Sequence, residues 1–301
     1  MLHSIHSKFI LTPLIGIIQD AVNACAGIGN GIETQSLGEY VLQTTFLKMT
    51  GTSEQKLKCI CWEMATNDYD YRYRYLKKNY GECSSYSDKC SIYKDVLDMI
   101  GKLDASFNVD YLFDDIDVSQ KEEELINKKI LETQTLQESK KKRKLTEIEI
   151  EKLTKGMKAH YAKKGLCGKE KAHFSRVMLF ENIQGEIEKI IGNTLVAQWE
   201  MHSYKNYSQK WKTLSCYSFA EGDNLLVKEL QDIYTDIVYS HRNRCAHNLG
   251  SYQNNLPTLK TLEDEKFVFD NYYFRFSILI LLDEIFVRLY KRYQEGMEKV
   301  I

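Results

Sequence analysis

DNLLVKELQDIYTDIVYSHRNRCAHN, residues Asp223–Asn248, is the stretch on which the fold turns. Leu226, Leu230, Ile233 and Ile237 recur at helical spacing, with Val227, Tyr234 and Val238 beside them, so an apolar face runs to Tyr239. Within seven positions there then follow Arg242, Asn243, Arg244, Cys245, Ala246, His247 and Asn248. Two guanidiniums, two amides and an imidazole closing a core helix are either a cap complementing the helix dipole or a chemical site. Asn248 and Gly250 suit a cap. The amide directly after Arg242 is not explained by one.

Working outward, apolar residues at helical spacing dominate. The segment 272–298 carries Ile278, Leu281, Leu282, Ile285, Phe286, Leu289 and Tyr293, a face broad enough for a central core helix. Further helices are expected over 9–24, from Leu37 to Lys48, from a Thr52/Gln55 capping box to about Lys78, and over 92–102, 121–137, 174–192, 194–203 and 223–246. Gly51 ends the second of these. Only two prolines, Pro13 and Pro257, occur in 301 residues, and 43% of the chain is hydrophobic. That combination favours an all-α chain with a real core. The expected organisation is residues 1–80 as N-terminal helices, 81–172 as a charged, helical insertion, and 173–301 as the helices carrying the polar cluster.

Charge excludes little in total and more in detail. Lys+Arg number 41 against 42 Asp+Glu, a net −1. Residues 104–124 are acidic, whereas 140–176 are basic and begin with Lys140, Lys141, Lys142, Arg143 and Lys144, a candidate RNA-binding run. YDYRYRY, Tyr69–Tyr75, interleaves aromatics and arginines as base-stacking surfaces do, or packs its tyrosines along a half-exposed helix face. Gly27, Gly29 and Gly31 lack the strand and Lys-Ser/Thr pair of a phosphate loop. The eight cysteines (25, 59, 61, 83, 90, 167, 216, 245) fit no zinc spacing and are expected to be structural thiols in a reducing compartment. FILTPLIGII at 9–18 is interrupted by Pro13 and preceded only by Lys8 as positive charge, unlike a signal peptide. FSILILL at 276–282 is too short to cross a bilayer. No membrane association and a cytoplasmic location are expected, with no metal and no cofactor.

Arg242, the polar Asn243 and His247, ending an amphipathic helix in an all-α chain and followed by a long core helix, resemble the HEPN superfamily of ribonucleases and nucleotide-binding proteins. The resemblance covers about 35–80 and 174–298, and it implies a HEPN-like helical bundle acting as a homodimer with paired motifs. On an uninterrupted helix, Asn243 and His247 lie one turn apart, so the amide can orient the ring. Arg242 and His247 lie about 140° apart around the axis, so two chains facing each other bring the groups together more readily than one. The chemistry available is RNA cleavage: His247 as acid/base, Arg242 as phosphate clamp, Asn243 as orienting residue, with His241, Arg244 and Asn248 as further substrate contacts. No carboxylate or His/Cys cluster accompanies the motif, so the expected reaction is metal-independent and leaves a 2′,3′-cyclic phosphate and a 5′-hydroxyl. A toxin or antiviral-defence effector restrained by a regulatory or antitoxin protein fits this chemistry. The alternative is a catalytically silent HEPN-like RNA- or nucleotide-binding or scaffold protein. Leu249 stands where nucleotidylated toxins carry a tyrosine, which argues against control of that kind.

Overall fold

A computed structural model of the chain describes residues 4–29, 31–77, 83–118, 122–164, 168–197, 199, 219–247 and 271–300. The protein is all-α: the described residues are helical apart from short connections and one two-stranded hairpin. It divides into two compact units, Met1–Val109 with Phe180–Ile301, and Asp110–Leu179.

The first unit is organised around its last helix. In chain order its elements are α1 (Ile5–Leu11), α2 (Gly16–Ala24), α3 (Gln35–Asn67), α4 (Tyr69–Lys77) and α5 (Tyr86–Leu103). The last helix, Tyr272–Val300, buries Ile278, Leu281, Leu282, Ile285, Leu289 and Tyr293 and packs mainly on α5 and α3. Each such aliphatic side chain contributes about 1.5–3 kcal/mol through burial. That core role is the one its apolar pattern indicates. The segment 83–109 belongs to this unit, whereas the sequence assigned it to the insertion; α5 buries Ile92, Tyr93, Val96, Met99 and Ile100.

Three local features depart from the sequence pattern. Pro13 splits the expected 9–24 helix into α1 and α2, because a proline disfavours helical geometry in the residue before it and offers no N–H. In α3, by contrast, the helix runs 33 residues straight through Gly51 and the Thr52/Gln55 box. A single internal glycine costs about 1 kcal/mol, less than the burial of Phe46, Met49, Leu57, Ile60 and Met64 on either side. The break comes instead at Asp68, whose carboxylate accepts from the Tyr71 N–H at 2.6 Å and opens α4. There Tyr71 is buried and stacks on Tyr75 at 6.0 Å, while Tyr69 and Tyr73 are exposed.

The third departure is a hairpin where helix was expected to begin at 223. Strands β1 (Phe219–Glu221) and β2 (Asn224–Leu226) pair antiparallel, turning at Gly222 with φ +54°. Two tyrosines of α5 hold it: the Tyr93 hydroxyl donates to the Gly222 carbonyl at 2.9 Å, and the Tyr86 hydroxyl accepts from the Leu226 N–H at 3.2 Å. After it comes one helical rod with a π-turn in its middle, Lys228–Ile233, then Tyr234–Tyr239, then Ser240–His247.

A buried ion pair ties the N-terminus to the bundle. Lys56 Nζ lies 2.7 Å from Asp283 Oδ1, and Asp283 Oδ2 accepts from the Leu14 N–H at 2.9 Å. Lys56 also donates to the Thr12 carbonyl. Burial holds the Asp283 carboxyl above its ordinary range, against the pull of Lys56. Asp283, which interrupts the apolar run 276–282, is thus an interior residue with a counter-ion.

The second unit contains Glu122–Lys141 and Glu147–Lys164, which pack on each other, and the start of Gly168–Ile191. Arg176 meets Asp110 at 2.8 Å and lies over the Phe113 ring. Among the described residues no helix is long and apolar enough to cross a membrane.

Candidate functional site

The π-turn sets the site. A π-turn adds a residue to the helical repeat, and such turns are frequent at functional sites. Side chains add donors to its carbonyls: Thr235 O accepts both the Ser240 N–H and, at 3.0 Å, the Ser240 hydroxyl, and Arg275 Nε donates to Ile237 O at 3.3 Å from the last helix. Beyond it, His241 and Cys245 continue the buried face begun by Leu230, Tyr234 and Val238, and Arg242, Asn243 and Arg244 fall on the half-buried flank.

Arg242 is the residue the site is built around. Its side chain is 24% exposed, its Nη1 donates to Asn243 Oδ1 at 3.3 Å, and its Nη2 lies 3.3 Å from Oε2 of Glu54 on α3. Asn243, expected to orient the His247 ring, offers its oxygen to Arg242. Glu54 is missing from the sequence reading because nothing local marks it; only the packing of the rod on α3 brings it there.

Next to this pair is a small pocket of about 10 Å³, the size of one water. It is lined by Thr50, Ser53 and Glu54 of α3, Ser84, Lys89 of α5, Tyr234, Val238 and Tyr239 of the π-turn, Arg242 and Leu279. Lys89 is 2% exposed; its ammonium donates to the carbonyls of Cys83 at 2.6 Å and Ser84 at 3.4 Å and lies 5.7 Å from the Tyr234 ring centre. Burial pulls its pKa down to about 8, helped by Arg242 and opposed by Glu54, Cys83 and Asp88. Tyr234 donates to Ser84 O at 3.1 Å, and burial, with Glu54 nearby, holds its phenol far above the usual range.

His241, named with the substrate contacts, is an interior residue. It is 7% exposed, with the rings of Phe46 and Tyr272 at 5.1 and 5.3 Å. Arg244 Nη2 lies 3.3 Å from Nδ1, and since arginine only donates, Nδ1 accepts and the ring hydrogen is on Nε2. Nε2 then donates to the Tyr272 hydroxyl at 3.1 Å, with Cys245 Sγ at 3.4 Å, and Tyr272 donates to Glu39 at 3.5 Å. Burial, then Arg275 and Arg244, push the His241 pKa down to about 2, so the ring is neutral. Arg244 is thereby turned inward to His241.

His247 is the last residue of the motif helix; its side chain, and all of Asn248, lie outside the described residues. So does most of the expected 194–203 helix. The basic run belongs to the second unit. Lys140, Lys142 and Lys144 are exposed, whereas Arg143 and Lys141 both contact Glu149 at 2.9 Å. Arg143 first, with the Thr146 N–H and Lys141, holds the Glu149 carboxyl far below its usual range. Two of the five cations therefore already have a carboxylate.

No group of three or more potential metal ligands comes together among the described residues. The six described cysteines are free thiols. No protein-family model matches the chain, and neither the curated proteins nor the solved structures contain a significant match to it.

Proposed function

We propose that the protein is a metal-independent endoribonuclease in which Arg242 holds the scissile phosphate and His247 moves the protons. The observation that carries this is the setting of Arg242: a part-exposed guanidinium, oriented by Asn243 and Glu54, beside a pocket and on the same eight-residue helix as His247. Arg275, by contrast, is 4% exposed and donates to the Ile237 carbonyl inside the bundle.

The reaction asks little of the protein. The substrate's 2′-hydroxyl gives its proton to the imidazole, its oxygen forms a bond to phosphorus, the bond from phosphorus to the 5′-oxygen breaks, and that oxygen takes the proton back from the imidazolium. A 2′,3′-cyclic phosphate and a 5′-hydroxyl result, with atoms and charge balanced. Arg242 stabilises the extra charge on the phosphoryl oxygens in the transition state, a contribution of about 3–4 kcal/mol for one well-placed donor. Pairing of two motifs in a homodimer brings the imidazole of one chain to the guanidinium of the other, and a partner protein that covers the motif restrains a toxin or defence effector of this kind.

The test is the chemistry of the cut ends. Single-stranded RNA treated with the protein in the presence of a chelator is expected to yield cyclic phosphate and 5′-hydroxyl ends, and a single 2′-deoxy nucleotide at the cut position is expected to block cleavage there. Ends of 3′-hydroxyl and 5′-phosphate, or cutting beside the deoxy nucleotide, would exclude the mechanism. An intact substrate throughout would favour the silent binding module.

A further inference from the structure

Lys89 presents a physical problem that its own contacts do not solve. An ammonium 2% exposed has lost nearly all its water, and its two hydrogen bonds go to neutral carbonyl oxygens. Among the described residues no carboxylate lies within 4.0 Å of it; Glu54 and Asp88 act on it only at longer range. A buried charge without a counter-ion is unfavourable by several kcal/mol in round terms, about the size of a small domain's whole stability margin. The carbonyls bind two of its three N–H groups, and the pocket that Lys89 lines lies on the way to Arg242.

The Arg242–Glu54 pair beside it is poorly made. Charge-assisted N–H···O bonds are normally about 2.7–2.9 Å and arginine usually grips a carboxylate with two of them. Here a single contact at 3.3 Å is present, and Arg242 remains open to solvent. Among the described residues Glu54 has no other hydrogen-bond or ion-pair partner. Its carboxylate therefore marks a place where an anion is drawn by two cations, and holds it loosely.

We propose that this pocket is a phosphate seat: a phosphodiester group of RNA displaces the Glu54 carboxylate from Arg242 and is held from the other side by Lys89. The inference rests on the nuclease reading for the source of the phosphate and adds to it a second cation and a built-in competitor. The pocket is only the size of one water, so seating the group requires the Glu54 side chain to swing outward, which its single contact permits. Lys89, fixed by Cys83 and Ser84, stays in place and supplies charge without rearrangement.

Binding of a 2′-O-methyl oligonucleotide of adenosine and cytidine to the full chain, followed by fluorescence anisotropy, tests this without any cleavage. The expected order of affinity is Glu54→Gln, then parent, then Lys89→Met. Loss of one charge-assisted contact at Lys89 corresponds to about tenfold weaker binding, and removal of the competing charge at Glu54 to about fivefold tighter. A role confined to folding does not change the salt dependence, whereas Lys89→Met is expected to lower the slope of log affinity against log salt by about 0.7.

The pH profile is a further readout. The groups facing Lys89 are Glu54 on α3, Cys83 before α5, Asp88 on α5 itself, Tyr234 in the π-turn and Arg242 on the motif helix; the last helix contributes the apolar Leu279. Bound phosphate favours the charged ammonium, so parent affinity is full below pH about 8 and falls as pH rises through that value, and this step is absent in Lys89→Met. Should Lys89→Met fail to fold, the parent profile and Glu54→Gln decide. A flat profile from pH 7 to 9.5 with Glu54→Gln no tighter than parent would overturn the proposal. Binding of inorganic phosphate with no binding of the oligonucleotide would overturn RNA as the source. If the affinity order holds and unmodified RNA stays intact, the seat stands and the nuclease reading falls.

Discussion

Lys56 and Glu54 stand two positions apart on α3, about 200° around its axis, and each meets an opposite charge from a distant part of the chain. Lys56 meets Asp283 at 2.7 Å with both side chains at most 6% exposed, and further bonds to Thr12 and Leu14 occupy what the pair leaves over. Glu54 meets Arg242 at 3.3 Å through one contact, with the guanidinium 24% open and a pocket alongside. In the first pair every polar atom has a reason to stay. In the second, an incoming anion offers Arg242 a better bond than the one it has. Completeness of hydrogen bonding, more than the presence of opposite charges, separates a structural lock from an exchangeable contact.

Breaking the lock gives the largest effect. Asp283→Ala leaves the Lys56 ammonium buried and unpaired and is expected to lower unfolding free energy by about 3–5 kcal/mol, measured by denaturant titration. A loss below 1 kcal/mol would mean the two pairs do not differ as described.

The neighbour of Arg242 carries the next effect. His241 is neutral in the fold, with its pKa pushed down to about 2, whereas the unfolded ring takes a proton below pH about 6.5. The unfolded state then binds more protons, so this residue's contribution is intact above pH 6.5 and is lost as pH falls, by about 3 kcal/mol at pH 4.5. His241→Gln, compared with parent over that window, is expected to remove this part of the acid sensitivity; identical profiles would contradict the buried, neutral ring.

Smaller effects probe the exchangeable pair and its helix. Glu54→Gln is expected to change stability by no more than about 1 kcal/mol, as for part-exposed ion pairs. Gly51→Ala stabilises by about 0.5–1 kcal/mol if α3 is continuous, since a Cβ there meets nothing within 4 Å. Destabilisation would restore the helix break that the sequence indicates, just ahead of Glu54 and Lys56.

The all-α class, the core role of the last helix and the motif helix are legible in sequence, because apolar residues at helical spacing such as Ile278–Leu282–Ile285–Leu289 have few other solutions. Gly51 and the Thr52/Gln55 box misled because local start and stop signals are worth about 1 kcal/mol each, less than the burial that overrides them. The π-turn keeps ordinary helical residues and leaves no signal. Glu54 and Lys89 are ordinary charged residues until tertiary packing sets them beside Arg242. Lys141 and Arg143 look free in a basic run, yet Glu149, six to eight residues on, claims both. His241 looks like Arg242's equal in sequence; only the packing of Phe46 and Tyr272 around it makes it interior.

The most direct measurement is the cleavage rate of one labelled single-stranded RNA by parent, Arg242→Ala and His247→Ala, with unfolding free energies taken on the same preparations. Both variants are expected to lose about 100- to 1,000-fold in kcat/KM, with Arg242→Ala staying within about 1 kcal/mol of parent stability, as for a part-exposed ion pair. Cleavage by either variant at the parental rate would contradict a guanidinium and an imidazole acting on one phosphodiester.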